Sequence, residues 1–161
     1  MGSDAIRGMN DAVAAVLAEA EADIAARRPV CRSSGRCCQF EEWGHRMYVT
    51  GVELVHFATV HGTPETQNAK PKTQNGAGAK VVSLAQFFAG EVRGCPYQVD
   101  GLCTAREARP LGCRVYFCDE NAQGWQSEVY EKYHTKLKAV HERFGVPYRY
   151  VEWRQGLREL V

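Results

Sequence analysis

CPYQVDGLCTAREARPLGCRVYFC, residues 95–118, places four cysteines in 24 positions with the spacing C-x7-C-x9-C-x4-C. Within it Asp100-Gly101 stands between two short segments, the dipeptide favoured in a tight hairpin turn because both positions tolerate positive φ. A hairpin there brings Cys95 and Cys103 to one end or one face, as in the knuckles that ligate metals. Upstream, CRSSGRCCQF (residues 31–40) holds Cys31, Cys37 and Cys38 and shows no helical period, so it reads as an irregular loop whose shape something else must fix. These two groups contain all seven cysteines of the 161-residue chain.

Outward from the cysteines, apolar spacing marks helices. Ile6, Met9, Val13, Leu17, Ala20 and Ile24 recur at steps of three and four, predicting a helix capped by Ser3 and running to about Arg28, where Pro29 stops it. A short helix is expected after Thr50, over GVELVHFATVH, with Leu54, Val55 and 57–60 near one side and Gly62 at its end. Residues 62–79 are polar and interrupted by Gly and Pro, the composition of a flexible loop. VVSLAQFFAGEV (81–92) reads equally as strand or helix. Val129, Tyr133, Leu137, Val140 and Phe144 predict a closing helix from Ser127 to about Phe144, ended by Gly145 and Pro147. PYRYVEW then alternates as a short strand, and RQGLREL forms a helical turn. The expected fold is α+β: a compact, helix-rich single domain over residues 1–161 with a short β-hairpin, organised around a cysteine-ligated metal centre. The 62–79 loop does not keep the two groups apart, because doubling a loop's length adds only about 0.6 kcal/mol of closure cost.

Composition excludes other classes. Twenty basic and 19 acidic residues leave a net charge of +1, without the basic footprint of a nucleic-acid binder. No stretch approaches the roughly 18 apolar residues that span a bilayer, so no membrane contact is expected. Asp4, Arg7, Asn10 and Asp11 break up any apolar run that could serve as a signal peptide. A cytoplasmic protein is expected, and there thiols stay reduced and clustered cysteines bind metal or do redox chemistry. The spacings match neither a zinc ribbon nor the run of bacterial ferredoxins, so spacing alone does not choose the metal. Nothing in the chain names its protein partner or substrate.

CRSSGRCC and the 95–118 stretch resemble the YkgJ-type cysteine-cluster family, described as a zinc- or iron-chelating domain. The family is marked by C-x2-C-x2-C-C, then C-P, G-x-C and R-P-x-x-C-R-x-[YF]-x-C. The likeness covers residues 31–118, and the closing helix with VPYRYVEW is similar to the tails of such proteins. It implicates Cys31, Cys37, Cys38, Cys95, Cys103, Cys113 and Cys118 as metal ligands. Ser34 stands where the family pattern has its second cysteine, and serine is a poor ligand for soft metals. That position is either dispensable or replaced by His45, Glu41, Glu42 or water. Arg109-Pro110 matches the pattern. Arg106, Arg109 and Arg114 are candidate cofactor-binding residues, donating to cluster sulfurs or offsetting thiolate charge; the plainer reading pairs them with carboxylates.

An iron-sulfur cluster is favoured over zinc, because surplus thiolates are redundant in a closed zinc site. The same motif occurs in flagellin lysine N-methylases, which implies that such a domain can support transfer chemistry. This chain shows no Gly-rich nucleotide loop, so methyl transfer is not carried over. The expected function is a metal-binding protein whose centre is structural, redox-sensing or electron-transferring. The alternative is a metal-dependent enzyme acting near Arg106, Arg109 and Tyr116. His45, His56, His61, His134 and His141 read as packed or solvated side chains. Tyr97, Tyr116, Phe117, Trp125, Tyr148, Tyr150 and Trp153 read as apolar cover around the site.

Overall fold

A computed structural model describes residues 2–31, 33–62 and 93–160. Beyond Gly62, the predicted 62–79 loop and the ambiguous 81–92 segment lie outside the described residues. The described chain runs α1 (Ser3–Ala26), a 3-10 turn (Arg36–Cys38), α2 (Phe40–Trp43), β1 (Tyr48–Thr50), α3 (Gly51–His61), β2 (Gln98–Val99) and β3 (Leu102–Cys103). It continues through α4 (Leu111–Val115), a second 3-10 turn (Glu120–Ala122), α5 (Gln123–Arg143), β4 (Tyr150–Glu152) and α6 (Trp153–Arg158). The chain is helix-rich with small antiparallel sheets, an α+β fold.

One half of the molecule is a helical layer. Met9, Val13, Val16, Leu17, Ala20 and Ile24 of α1 pack with Val129, Tyr133, Leu137 and Val140 of α5, and with Val52, Leu111 and Val115. Burying each large aliphatic side chain contributes about 1.5–3 kcal/mol, which fixes the Ala-rich α1 against α5. At the edge, Asp23 accepts from Lys132 Nζ at 2.8 Å and Tyr133 Oη at 3.1 Å, tying α1 to α5.

The second half is built from short pieces. β1 pairs antiparallel with β4, Tyr48 opposite Glu152, Val49 opposite Val151 and Thr50 opposite Tyr150. The pairing continues as Trp153 N–H donates to Met47 O at 2.8 Å, which sets the indole beside Phe57 and Tyr97. Glu53 joins the halves. Fully buried, it accepts from Thr50 N and Thr50 Oγ1, both at 2.8 Å, and from Leu111 N at 2.8 Å. The Thr50/Glu53 pair is a capping box that starts α3, and the same carboxylate caps α4, the helix that carries Cys113. Burial pushes the Glu53 carboxyl up, against these hydrogen bonds.

Four sequence expectations need correction. Ser3 lies inside α1, and Gly2 occupies the N-cap with no side-chain bond. The helix closes at Ala26, two residues early, because Arg28 takes a left-handed φ of 51° ahead of Pro29. Ile6, Val55 and Val60 face solvent, since α3 buries Val52, Glu53, Leu54, His56 and Phe57 instead. The closing helix starts at Gln123 rather than Ser127, led in by the 3-10 turn that Asp119 caps through Asn121 N. The hairpin forms as expected: Gln98 faces Cys103 and Val99 faces Leu102, with Asp100 at φ 50° and Gly101 at φ 79°. The short strand and the following helical turn appear as β4 and α6.

Candidate metal centre

The two cysteine groups are stitched together through backbone. Cys95 N–H donates to Cys38 O at 2.8 Å, and the Gln98 side-chain amide donates to Gly35 O at 2.8 Å. Two glycines permit this approach. Gly94, at φ 79°, leaves 2.5 Å between the site of a would-be Cβ and Cys38 O; Gly35, at φ 72°, leaves 2.5 Å to Gln98 Nε2. A side chain at Gly94 would meet a carbonyl and push the groups apart.

All seven cysteines carry free thiols, and all seven line one cavity of about 140 Å³. Phe57, Tyr97, Tyr116, Phe117 and Trp153 share its wall, with Ser34, Arg106, Arg109 and Arg114. Exposure is graded along it. Cys38 and Cys95 are buried, Cys37, Cys103 and Cys113 are half-buried, and Cys31 and Cys118 are exposed. A cavity holds a water from about 10–15 Å³ upward, so this one admits a group of several atoms. Among the described residues no three His, Cys, Asp or Glu side chains close on a single point as ready ligands of one ion. The sulfurs stand around a space rather than around a point.

The deep wall offers two hydrogen-bond donors with nothing to receive them. Tyr97 Oη and Trp153 Nε1 are buried without hydrogen-bond partners, in residues only 4% and 2% exposed. An unsatisfied buried polar group costs about 1–3 kcal/mol, so a pair of them in one wall fits a cavity that receives an electron-rich group. Both lie close to Cys95. Burial, with the Cys95 charge assisting, pushes the Tyr97 hydroxyl up, and the Cys95 thiol is itself lowered chiefly by Cys38.

Cys38 is the hub of the inner thiols, 3.9 Å from Cys37 Sγ. Its thiol pKa is pushed strongly upward by hydrogen bonding with Cys103, Cys37 and Cys95, with burial adding to it. Cys103, Cys37 and Cys95 are each lowered, chiefly by that same hydrogen bond and against burial, and Arg109 adds its charge at Cys103 and Cys37. Cys113 is raised by burial. The inner thiols thus shift one another's acidity, and a metal cation bound among them would take the place of their protons, because metal-bound cysteines are thiolates.

Arg114 and Arg109 pair with a carboxylate, the plainer of the two roles. Arg114 donates to Glu21 Oε2 at 2.6 Å, to Arg109 O at 2.7 Å and to Glu107 O at 2.7 Å, and Arg109 lies 3.9 Å from Glu21. They hold the 106–109 turn against α1 while their charge reaches the sulfurs. Ser34 sits at the mouth, its Oγ 3.7 Å from Cys118 Sγ. None of the side chains suggested in place of its missing thiolate, His45, Glu41 and Glu42, lines the cavity. His45 Nε2 is 3.3 Å from Cys37 O with its ring stacked on Tyr116, Glu41 binds Gly94 N and Arg154, and Glu42 is exposed. Of the aromatic set, Trp125 packs on Phe117 outside the cavity, and Tyr148 and Tyr150 stand exposed beside His134.

Sequence reasoning missed Glu21 and Glu53. Glu21 lies on the exposed face of α1, where nothing local marks it as the partner of two arginines from another segment. Glu53 was within reach, since T-x-x-E at 50–53 is the capping-box pattern. Compared with protein-family models, curated proteins and solved structures, the chain matches none of them. The likeness to the cysteine-cluster family therefore rests on the motifs themselves.

Proposed function

We propose that this is a metal-binding protein whose cysteines hold an iron-sulfur cluster or, less favoured, zinc, in a structural, redox-sensing or electron-transferring role. The carrying observation is that all seven cysteines, from two distant groups, line one cavity. Buried free cysteines commonly serve as small hydrophobes, but such residues fill space rather than surround it. Cys37, Cys38, Cys95 and Cys103 are the first ligands to test, as the cysteines that the Cys95 N–H to Cys38 O bond and the β2/β3 hairpin bring to one wall of the cavity, with Cys113 lining it too. Bound there, the group would supply electron storage if iron-sulfur, or a fixed cross-link if zinc.

Volume and the orphaned donors favour the cluster. A four-thiolate zinc site leaves only cysteine sulfurs to accept from Tyr97 and Trp153, whereas hydrogen bonds to cluster sulfurs are a known lever on iron-sulfur potentials. Ser34 at the mouth favours the alternative, a metal-dependent enzyme, because a hydroxyl or water in place of a thiolate leaves a position open to substrate. The family resemblance and a cytoplasmic location accord with either reading, and no described helix is long and apolar enough to cross a membrane.

The test is metal and sulfide analysis with an absorption spectrum on protein purified without oxygen. Iron and sulfide in comparable amounts, with broad visible absorption, support the cluster. A colourless zinc protein supports the structural site. Protein that holds neither metal, and takes up neither on reconstitution, overturns the proposal.

A further inference from the structure

The cavity's two ends differ in a way that a simple cage does not need. At the closed end, Cys38 and Cys95 are buried against Tyr97, Phe57 and Trp153. At the mouth, Cys31 and Cys118 are exposed and come from different cysteine groups. A side chain ties their neighbours: Val30 N–H donates to the Asp119 carboxylate at 3.3 Å, and Cys31 and Cys118 line the same cavity. Ser34 Oγ completes the cluster, 3.7 Å from Cys118 Sγ.

We propose that Cys31, Cys118 and the Ser34 hydroxyl form an exchange position at the cavity mouth, through which a thiophilic metal ion enters and leaves the buried thiolates. This rests on the metal-binding reading above. Two thiolates and a weak oxygen ligand capture a soft ion and also release it, because the hydroxyl and water hold the remaining positions loosely. Four thiolates at that place would trap it. Serine where the motif has cysteine thus acquires a chemical sense. The ionised side chains lining the cavity are Glu21 against Arg106, Arg109 and Arg114, so the negative charge that receives a cation comes from the thiolates.

The step is ligand substitution without change of oxidation state. The hydrated ion loses waters to Cys31 and Cys118, whose protons pass to solvent. The half-buried Cys37 and Cys103 then displace the mouth ligands one for one, their thiol protons passing to the Cys31 and Cys118 thiolates as the ion moves inward. Cys38 and Cys95 release their protons to solvent as the inner set closes.

The experiment uses the reduced full chain with Cd2+, whose thiolate bonds are followed in the ultraviolet. Wild type, the Cys31→Ser/Cys118→Ser double variant and Cys38→Ser are compared for Cd2+ bound at saturation, for uptake rate and for the rate of loss to excess EDTA. The expected result is that the double variant binds as much Cd2+ as wild type, while uptake and loss both slow by about tenfold, or about 1.4 kcal/mol on each barrier. Equal content with unchanged rates overturns the exchange position and leaves the metal site standing. Content in the double variant falling to that of Cys38→Ser also overturns it, since the mouth thiols are then resident ligands. Wild type that takes up no Cd2+ overturns the metal-binding reading and this inference with it. Circular dichroism spectra matching wild type exclude misfolding as the cause of slow exchange.

Discussion

The α1/α5 layer and the cysteine half are built on opposite principles. In the first, Val13, Ala20 and Leu137 are wholly buried and aliphatic side chains fill the interior without help. In the second, strands of two or three residues and a five-residue helix surround a cavity lined by sulfur, with two orphaned donors in its wall. Close packing stabilises the first half by itself; the second has a buried cluster of its own around Phe40, Val49, Leu54, Phe57, Val151 and Leu157, to which the proposed metal would add its binding energy. On the metal-binding proposal, stability and metal content are separable in one half and linked in the other.

The largest expected effect tests that link. Cys38→Ala or Cys113→Ala should lose bound metal and destabilise the cysteine half, because metal binding in such sites contributes folding energy on the order of 10 kcal/mol. Metal analysis with hydrogen exchange should show residues 94–118 losing protection while α1 and α5 keep theirs. Unchanged metal content and thermal stability in both variants would remove the basis for the contrast. Next in size, Leu137→Ala should cost about 2–5 kcal/mol in denaturant unfolding. Metal per folded molecule should stay at the wild-type value, and a loss of metal would show that the halves are not separable.

A smaller effect is read by its sign. Tyr97→Phe removes a buried hydroxyl that has no partner, so the metal-free protein should gain up to about 1 kcal/mol. In the loaded protein the same change should weaken metal binding, by up to about tenfold, as loss of a hydrogen bond near a metal does. Calorimetry of both forms checks this, and a change of the same sign in each would mean that the hydroxyl never meets the bound group.

The smallest effect lies at the helical layer's edge. The Lys132 hydrogen bond is the main cause holding the Asp23 carboxyl down to about 2 from an ordinary 3.8, with Arg27 and Tyr133 assisting against partial burial. A lowered folded value stabilises the protein above pH 3.8, and that contribution is lost as pH falls through about 2. Asp23→Asn should therefore cost under about 1 kcal/mol near neutrality, since the site is screened, and nothing at the acid end. Unfolding curves across pH check it, and a difference that persists at the acid end would assign the effect to something other than charge.

Features with local causes were legible in the chain. Asp100-Gly101 marked the hairpin because positive φ is a property of those two residues, and the stripe from Met9 to Ile24 marked α1 because its period is helical. β1 was not legible: Tyr48–Thr50 is three residues long and exists by pairing with Tyr150–Glu152, far along the chain. Val55 and Val60 misled because an apolar side chain does not say whether a neighbour will come to cover it. At the site, the cysteines announced themselves by chemistry. The unpartnered Tyr97 hydroxyl and Trp153 indole could not, since lacking a partner is a property of the assembled wall.

Trp153 has a consequence for the order of events during synthesis. It follows Cys118 by 35 residues, so at roughly 5–20 residues per second the ribosome makes all seven thiols about 2–7 s before the indole that closes the wall behind them. For that interval the nascent chain offers its cysteines without the floor of their cavity. On the metal-binding proposal, an ion would meet a complete cavity only after β4 and Trp153 have docked, and until then the thiols stand open to oxidants.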